Sequence, residues 1–567
     1  MKSNSDEKKI FSQHIFLFPF KINLPEHNGK SKSKYDSSIE KLEEISRLIL
    51  SDKKWQYRSF NFPTENGLNK DAVWAYNEEK YFHPYTNAAL FNKSCETSSF
   101  QEKQTPISNY YDREIREDDK IEFGILDKIY TLNINHLSLR IFETGIGILT
   151  ITLYNLDEQQ SALSDILLIN DFGRRIYPQF LGETDGITAT KNNFLPQYIK
   201  MYMGEEEIYE SFNEKDYLNK LENNYAEYIK QLIHPLKDIT PVMDDRMFVM
   251  CWYGNTPIMN NLKRWRKNQN GFNYEQNTDW YKYVFVDGKY PGVYNKQLMK
   301  KLIQESTYAR FVEMGTLYGV TRYSFMCLTD DDWYGYNIVR NHMQKVYYQM
   351  IVLILAQRAS LLKFNFEMER IAGLADEIYR SKKVRSKDNI VRKIEVLNKD
   401  IILFLNRMWF LEITPQEQGI ELYNLLQSKI GINEQIEELR TEIKELYDFI
   451  ELKVEQRSAN NLTMMGLLFI PLSLVTGLFG INLYFFRNIN ESASVDRILH
   501  PYLSSSLIFF FISYILIRFT TSLFETISNE NTRLNTPVIR WSLKSLMKVD
   551  IIISLIIAIT VFILAII

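Results

Sequence analysis

The residues best placed to do chemistry lie in an apolar stretch near the C-terminus, residues 462–486, which carries no charge. Close to its far end, Gly480, Ile481 and Asn482 put a small residue and a polar amide at the depth of a predicted membrane span. Polar groups at that depth are costly unless they face a cavity or another protein surface. A charged helical pattern runs into this stretch without a proline or glycine break. The combination indicates a gated pore for ions.

A second candidate is the acidic run Asp330, Asp331 and Asp332, which opens a predicted helix. Carboxylate oxygens are ligands that divalent cations prefer, so the run is a candidate regulatory metal site between subunits. Acidic residues also stabilise the N-terminus of a helix by opposing its dipole. The sequence leaves both roles open and favours the second.

Three basic residues are candidates for binding the phosphate groups of a ligand: Arg322, Arg358 and Lys363. Ahead of them, the glycine-containing segment 315–319 could let backbone amides approach a phosphate. It lacks the lysine pattern of a P-loop, so a plain turn is favoured. Arg358 lies on an apolar helix, where a buried arginine needs a partner. The alternative to a ligand is an internal salt bridge with Glu367 or Asp330.

Composition limits the function classes. At 567 residues the chain has room for two or three domains, and its formal net charge of -3 predicts no direct nucleic-acid partner. The three cysteines, Cys95, Cys251 and Cys327, are too widely spaced for a metal site or a disulfide framework, which indicates a reducing compartment. The N-terminus lacks the apolar segment of a signal peptide, so residues 1 to about 460 are expected in the cytosol.

Strand and helix patterns alternate before residue 335 and predict an α/β or α+β domain over residues 1–335. Helices are predicted at 163–170 and 293–313. Runs of β-branched and aromatic residues predict the strands, at residues 15–24, 146–154, 247–253, 281–286 and 320–328.

From residue 336 to 461 the pattern is almost wholly helical, and we predict a helical stalk domain with a first helix at 336–374. The last stalk helix, 433–461, carries isoleucines at seven-residue intervals from Ile436 to Ile450. Such a heptad packs on copies of itself or on neighbouring helices. An ordinary amphipathic helix in a bundle is the alternative, and continuity with the apolar stretch favours self-association.

Three apolar segments predict transmembrane helices at about 462–486, 503–524 and 549–567, within a transmembrane region 462–567. Basic residues are concentrated in the link between the second and third segments. This bias predicts a multi-pass inner (plasma) membrane protein whose N-terminal domain lies in the cytosol. The third segment either spans the bilayer or lies along it, and spanning is favoured.

Residues 462–482 resemble the CorA superfamily of divalent-cation transporters and channels. The matching residues stand at the family's spacing: Leu462, Thr463, Pro471, Leu472, Gly477, Gly480 and Asn482. The resemblance by motif covers about 455–525, and over the first 430 residues only the architecture is similar. It implies a cytosolic α/β domain, a stalk helix that continues as the first membrane helix, and a homo-oligomer in the lipid bilayer, expected to be a pentamer, around a central pore.

The resemblance also implies a role for each pore position. It assigns Gly480, Ile481 and Asn482 to the outer filter, Ser473 to the next polar ring, Ile470 and Leu462 to hydrophobic gates, and Gln456 to the cytosolic mouth. Apolar constrictions gate by dewetting, and an amide ring can contact a hydrated ion such as Mg²⁺, which gives up its water reluctantly. Back-bonding to the helix is the alternative for Ser473, and an interfacial helix cap for Asn482.

Several features depart from the family pattern. Ile481 stands at the family's methionine position, Arg487 precedes Glu491 in the outer loop, and the third apolar segment has no counterpart. A divergent filter below an oversized cytosolic domain is similar to CorA-like proteins encoded beside type III CRISPR systems. In that group the resemblance implies an antiviral effector opened by a nucleotide second messenger, a conjugate of S-adenosylmethionine and AMP.

We therefore predict a channel gated by its cytosolic domain, with such a nucleotide as ligand. The alternative is a transporter of Mg²⁺ or another divalent cation, regulated by cytosolic Mg²⁺. Either way a divalent cation is the expected permeant or regulatory ion. No Ser-His-Asp arrangement, HExxH motif or nucleophile elbow occurs, so no enzyme is expected; a membrane-anchored enzyme is the weaker third class.

Overall fold

A computed structural model describes most of the chain up to residue 445. The described residues are 9–23, 38–58, 70–91, 107–177, 183–184, 187–188, 195–212, 225–243, 245–267, 270–381, 387–445 and 448. They fall into two compact units. The first holds those up to residue 374 together with 392–441, and the second holds 375–381, 387–391, 442–445 and 448. The second unit is helical where it is described.

A mixed α/β fold with one 13-stranded sheet makes up the first unit. Two further pairs of strands stand apart from that sheet, β7 with β8 and β13 with β14. The strands are β1 Ser12–Ile22, β2 Trp55–Tyr57, β3 Ser108–Arg113, β4 Lys120–Ile125, β5 Lys128–Phe142, β6 Ile146–Asn155, β7 Glu183–Thr184, β8 Ile187–Thr188, β9 Tyr198–Met203, β10 Glu206–Ser211, β11 Ile239–Pro241, β12 Phe248–Gly254, β13 Trp265–Arg266, β14 Gly271–Phe272, β15 Thr307–Tyr308, β16 Thr316–Val320 and β17 Ser324–Thr329.

Helices precede, interrupt and follow the strands. They are α1 Ser38–Ser51, α2 Lys70–Lys80, α3 Asn87–Leu90, α4 Leu163–Gly173, α5 Glu227–Leu232, α6 Thr256–Leu262, α7 Thr278–Phe285, α8 Lys296–Ser306, α9 Arg340–Gln344, α10 Val346–Ser381, α11 Lys387–Arg407, α12 Glu417–Ile430 and α13 at residues 432–445. The predicted boundary near residue 335 falls shortly after the last described strand, and the boundaries at 335 and 461 stay predictions.

Strand β1 lies at the centre of the sheet. It pairs antiparallel with β6 on one side and with β12 on the other, and β12 pairs parallel with β17. Both faces of β1 are covered, so its apolar residues form a nearly continuous run instead of alternating with polar ones. Because β12 and β17 are parallel, Phe248 and Ser324 begin at one edge of the sheet while Gly254 and Thr329 end at the opposite edge.

The long helix α10 packs on the sheet along β5 and β6. Tyr348 Oη lies 3.2 Å from Ser138 Oγ and 3.0 Å from Thr150 Oγ1, and further along the helix Ser360 Oγ donates to Thr144 Oγ1 at 2.8 Å. A π-helical turn, Gly335–Val339, and α9 precede α10, so the single helix predicted at 336–374 is interrupted. The helix therefore connects the two edges of the sheet.

The predicted fold class is wrong in its membrane part. Among the residues that the structure describes, no helix is both long and apolar enough to cross a bilayer. Helix α10 has the longest apolar run, but that run is buried against the sheet and gives way to Lys363, Glu367 and Glu369. The three segments predicted to span, 462–486, 503–524 and 549–567, lie outside the described residues.

The same finding corrects the predicted location. The multi-pass inner-membrane location was predicted from the apolar segments and the basic residues between them, and no described helix supports a membrane or transmembrane assignment. The fold that the structure supports is a mixed α/β unit built on the 13-stranded sheet, followed by helices.

Candidate functional site

The predicted pore residues cannot be placed, because all of them lie outside the described part of the chain. They are Gln456, Leu462, Ile470, Ser473, Gly480, Ile481 and Asn482. The other predicted site residues lie at two opposite edges of the sheet, and each edge is described in turn.

Asp330, Asp331 and Asp332 follow β17 at the carboxyl edge, and each has its own partner. Asp330 pairs with Lys263 at 2.9 Å, and Asp331 pairs with Lys9 at 2.6 Å. Asp332 Oδ1 accepts a hydrogen bond from the Gly335 amide at 2.7 Å, which is the contact of a helix N-terminus. The described residues contain no group of three His, Cys, Asp or Glu side chains that could hold a metal ion. These contacts favour the structural role for the acidic run.

A cleft of about 180 Å³ opens at this carboxyl edge, lined among others by Lys9, Tyr253, Asn255, Thr256 and Asp331. Its polar groups are already bonded to one another. Asn255 Nδ2 donates to Tyr253 Oη at 2.8 Å, and the Asp331 amide donates to Thr256 Oγ1, also at 2.8 Å. The cleft therefore presents few polar groups that a ligand could engage without breaking an existing bond.

The segment 315–319 is a turn packed by the protein itself. Gly315 has a φ of +78°, and a Cβ there would lie 1.9 Å from Asp330 Oδ2. A Cβ at Gly319 would lie 2.3 Å from Val284. Because an aspartate occupies the space beside Gly315, this segment is unsuited to holding a phosphate, and the contacts favour the plain turn.

Basic side chains gather at the opposite edge, where β12 and β17 begin. The Arg358 guanidinium lies 5.3 Å from the centre of the Tyr323 ring, and Arg246 lies 5.4 Å from the same ring. Arg358 Nη1 also donates to the backbone carbonyl of Arg322 at 3.1 Å. We call Arg246, Arg322, Tyr323 and Arg358 the Tyr323 cluster. The structure thus brings together two of the three predicted ligand-binding residues.

Side-chain hydroxyl groups fix the turn that carries Arg322 and Tyr323. Ser324 Oγ donates to the Val284 carbonyl at 2.6 Å and lies 2.6 Å from Thr321 Oγ1, which in turn accepts from the Tyr323 amide at 3.2 Å. Both hydroxyl residues are buried. Arg322 is therefore exposed on a three-residue connection between β16 and β17 that these hydrogen bonds hold in place.

Further arginines surround the Tyr323 cluster. Asp245 accepts from Arg246 at 3.1 Å and from Arg175 at 3.3 Å, and Asp171 accepts from Arg175 and Arg174 at 3.2 Å each. Burial lowers the pKa of Arg174 to about 10; Asp171 opposes this, and the charges of Arg175 and Arg246 add to the lowering. A bound anion would reduce the repulsion between these arginine charges and would therefore be stabilised beside them.

Lys363 lies at the same edge but contacts different residues. Its Nζ donates to the Thr144 carbonyl in the turn between β5 and β6, and it lies 3.7 Å from Glu367. Lys21 at the end of β1 lies 3.7 Å from the same carboxylate. Its contacts with this turn and with Glu367 place Lys363 apart from the Tyr323 cluster, as one of the cations that line the edge.

Glu143 in the same turn is a buried acid beside Arg407, whose Nη1 lies 2.5 Å from Glu143 Oε2. Burial raises the pKa of Glu143 to about 7; Arg407 opposes the rise and Asp400 adds to it. This carboxyl group therefore titrates near neutral pH.

Sequence reasoning missed Arg246 and Tyr323. Arg246 lies two residues before β12, and Tyr323 lies within residues predicted as one continuous strand. A signal was available in Thr321 and Ser324, whose hydroxyl groups favour turns. The pairing of β12 with β17, which makes Arg246 a neighbour of Tyr323, has no local signal in the sequence.

In the part of the chain that the structure describes, the buried cysteines and His14 are held in their neutral forms. Burial raises the pKa of the Cys251 thiol to about 11 and that of Cys327 well above its usual value, so both stay protonated. Burial lowers the pKa of His14 to about 4, and its Nδ1 lies 2.7 Å from Asn170 Oδ1. These groups are held neutral inside the core, as packing requires.

Comparison with protein-family models, with curated proteins and with solved structures finds no match for this chain. The similarity to the CorA superfamily therefore stays a prediction that depends on residues 462–482.

Proposed function

We propose that the α/β unit is a sensor that binds a phosphate-bearing nucleotide at the Tyr323 cluster. The observation that carries the proposal is the position of two guanidinium groups, those of Arg246 and Arg358, near the ring of Tyr323, with the exposed Arg322 next to that tyrosine in the chain. Arginine binds phosphate through several N–H donors in a fixed plane, which is why it predominates in phosphate sites.

The charge around the cluster supports an anionic ligand. Three neighbouring arginines share two carboxylates: Asp171 pairs with Arg174 and Arg175, and Asp245 pairs with Arg175 and Arg246. Arg322 is exposed and can turn toward a bound phosphate without breaking a described ion pair. Tyr323 and the guanidinium planes offer flat surfaces against which a nucleobase can stack.

A transmission path begins one residue before Arg358. Gln357 is fully buried, and its Nε2 donates to the Met408 carbonyl at 2.7 Å and lies 3.5 Å from Tyr423 Oη. Tyr423 Oη in turn donates to the Phe410 carbonyl at 3.0 Å. A shift of α10 on ligand binding at Arg358 would therefore also move the connection between α11 and α12, to which Gln357 is hydrogen-bonded.

The nucleotide is preferred to Mg²⁺ as the controlling ligand. Regulation by Mg²⁺ needs several oxygen ligands that converge on one ion, and the partners of Asp330, Asp331 and Asp332 draw these carboxylates apart. What the sensor controls, whether the predicted ion pore or another output, depends on residues 456–482 and stays a prediction, as does the antiviral role.

Isothermal titration of the full chain tests the proposal with three probes: ATP, the conjugate of S-adenosylmethionine and AMP, and adenosine. We expect at least one phosphate-bearing probe to bind and adenosine to bind at least tenfold more weakly. Arg322→Gln and Arg246→Gln should each weaken binding at least tenfold, since a charge-assisted hydrogen bond contributes about 1.5–3 kcal/mol. Arg116→Gln, which removes an exposed arginine elsewhere, is the matched control. Equal affinity in all three variants would refute the site.

A further inference from the structure

A small hairpin outside the main sheet carries a dense group of cations. Strands β13 and β14 form their own two-stranded sheet. The first strand and the residues on either side of it have the sequence Lys263, Arg264, Trp265, Arg266 and Lys267. The last four of these are exposed, and the Trp265 side chain has 49% of its surface in solvent. We call residues 263–267 and 270–272 the basic hairpin.

The charge of the basic hairpin is largely uncompensated. Lys263 pairs with Asp330, whereas Arg264, Arg266 and Lys267 form no ion pair with any described residue. Glu275, which follows the hairpin, is engaged at both oxygens: Oε1 accepts from the Phe272 amide and Oε2 accepts from a glutamine of α8, each at 2.9 Å. Three cations therefore face solvent together.

Two neighbouring aromatic rings hold the Trp265 side chain in place. Its ring lies 4.9 Å from that of Phe272 at an angle of 85°, and Phe272 stacks on Tyr274 at 6.0 Å. A large aromatic side chain that is half exposed yet fixed by its neighbours loses little entropy when a partner stacks on it.

We propose that the basic hairpin binds single-stranded nucleic acid, with Trp265 stacking on a base and Arg264, Arg266 and Lys267 contacting phosphates. An aromatic platform between cations is the arrangement that binds single strands, whose bases and phosphates alternate along the chain. The net charge of -3 is a sum over the whole chain and does not reveal this local group of cations, so the proposal differs at the hairpin from the expectation of no nucleic-acid partner.

The hairpin suits a single strand better than a bilayer surface. The described residues between its two strands, Lys267 and Asn270, are exposed and polar, so they offer no apolar side chain to insert among lipid chains. A duplex is also less suitable, because its bases are stacked inside and do not reach an exposed indole. The proposal is independent of the nucleotide site at the Tyr323 cluster.

Fluorescence anisotropy with labelled 20-nucleotide oligothymidylate and oligouridylate tests the proposal on the full chain. We expect the unaltered chain to bind at 50 mM salt and more weakly at 200 mM salt. Arg264→Gln combined with Arg266→Gln should weaken binding at least tenfold and reduce the slope of log affinity against log salt by about 1.4. Trp265→Ala should weaken binding by about 5- to 100-fold, and Trp265→Phe by less, since stacking is retained.

The matched control is Lys296→Gln combined with Lys301→Gln, which removes the same charge from exposed lysines of α8. It should weaken binding less than threefold. No binding of either oligonucleotide at 50 mM salt would overturn the proposal, as would equal weakening by the hairpin and α8 variants. Tighter hairpin-dependent binding to vesicles that contain phosphatidylserine, or to polyglutamate, would assign the hairpin to another partner and overturn it as well. Thermal unfolding of each variant confirms that the fold is intact.

Discussion

Replacing Glu143 by glutamine should stabilise the protein at alkaline pH and leave it unchanged at acidic pH. Glu143 is 8% exposed, and one of its oxygens, Oε1, has no hydrogen-bond partner among the described residues. Burial raises the pKa of Glu143 to about 7 from an ordinary value of 4.5, against the opposing charge of Arg407. The folded state therefore holds this proton more tightly than the unfolded state does. Stability from this group is complete below pH 4.5 and is lost as the pH rises through 7.

The size of the effect follows from the pKa. Each pKa unit corresponds to 1.36 kcal/mol, so ionising Glu143 in the folded state costs about 3 kcal/mol at pH 8. Glutamine keeps the shape and avoids the charge. For a unit of several hundred residues, the gain corresponds to a Tm increase of about 3 °C at pH 8.

Differential scanning fluorimetry of the parent and of Glu143→Gln at pH 5, 6, 7 and 8 measures this difference. Glu207→Gln is the control, since Glu207 is an exposed carboxylate paired with Lys200 at 2.9 Å and should change Tm little at any pH. A Glu143→Gln variant that is less stable than the parent at pH 8 would mean that the ion pair with Arg407 outweighs the cost of burial, and the reasoning would be wrong.

Three further predictions concern residues inside the fold. Gln357→Leu should lower Tm by removing a buried hydrogen bond at a cost of about 1–3 kcal/mol, and should leave nucleotide affinity in titration calorimetry within threefold of the parent's. Gly315→Ala should lower the free energy of unfolding in chemical denaturation by about 2 kcal/mol or more, because Gly315 has a positive φ and the Asp330 carboxylate lies beside it. Its control is Gly373→Ala, at a helical position where an added Cβ would have nothing within 4 Å; this variant should raise the free energy of unfolding by about 0.5–1 kcal/mol. Burial lowers the pKa of His14 to about 4, so the unfolded state binds a proton at this histidine more readily than the folded state, and stability falls as the pH drops from 6.5 to 4. His14→Asn removes this group and should make the free energy of unfolding depend less on pH in that range; an unchanged pH profile would contradict this.

The central strands could be predicted from the sequence, because they are buried on both faces and consist of long apolar runs. The strands predicted at 146–154 and 247–253 are confirmed as β6 and β12. Their neighbours could not be predicted, since pairing joins residues far apart in the chain and leaves no local signal. The position of Arg246 beside Tyr323 is of this kind.

Local capping and turn chemistry explains two wrong assignments. Residues 281–286 are aromatic and β-branched and predict a strand, but residues 281–285 belong to α7. Asn277 caps the start of this helix, where its Oδ1 accepts from the Trp280 amide at 2.8 Å, and Val286 caps its end with a φ of +57°. Residues 320–328 predict one strand, but a turn fixed by hydroxyl groups divides them into β16 and β17. That turn carries the candidate site.

The candidate site was partly predictable. Arg322 and Arg358 were singled out as basic residues that could pair with phosphates, and the structure brings these two together. The acidic run was recognisable as a helix N-terminus from its position ahead of a helical pattern. The membrane assignment came from residues 462–567 alone, and none of the described helices supports it.

Hydrogen–deuterium exchange of the full chain, with and without saturating ATP or the S-adenosylmethionine–AMP conjugate, tests the sensor most directly. We expect slower exchange in peptides that cover residues 320–326 and 355–362, together with a change in the connection between α11 and α12 around residues 408–416. Protection confined to the carboxyl edge, at residues 253–258 and 329–335, or no protection with either nucleotide, would contradict it.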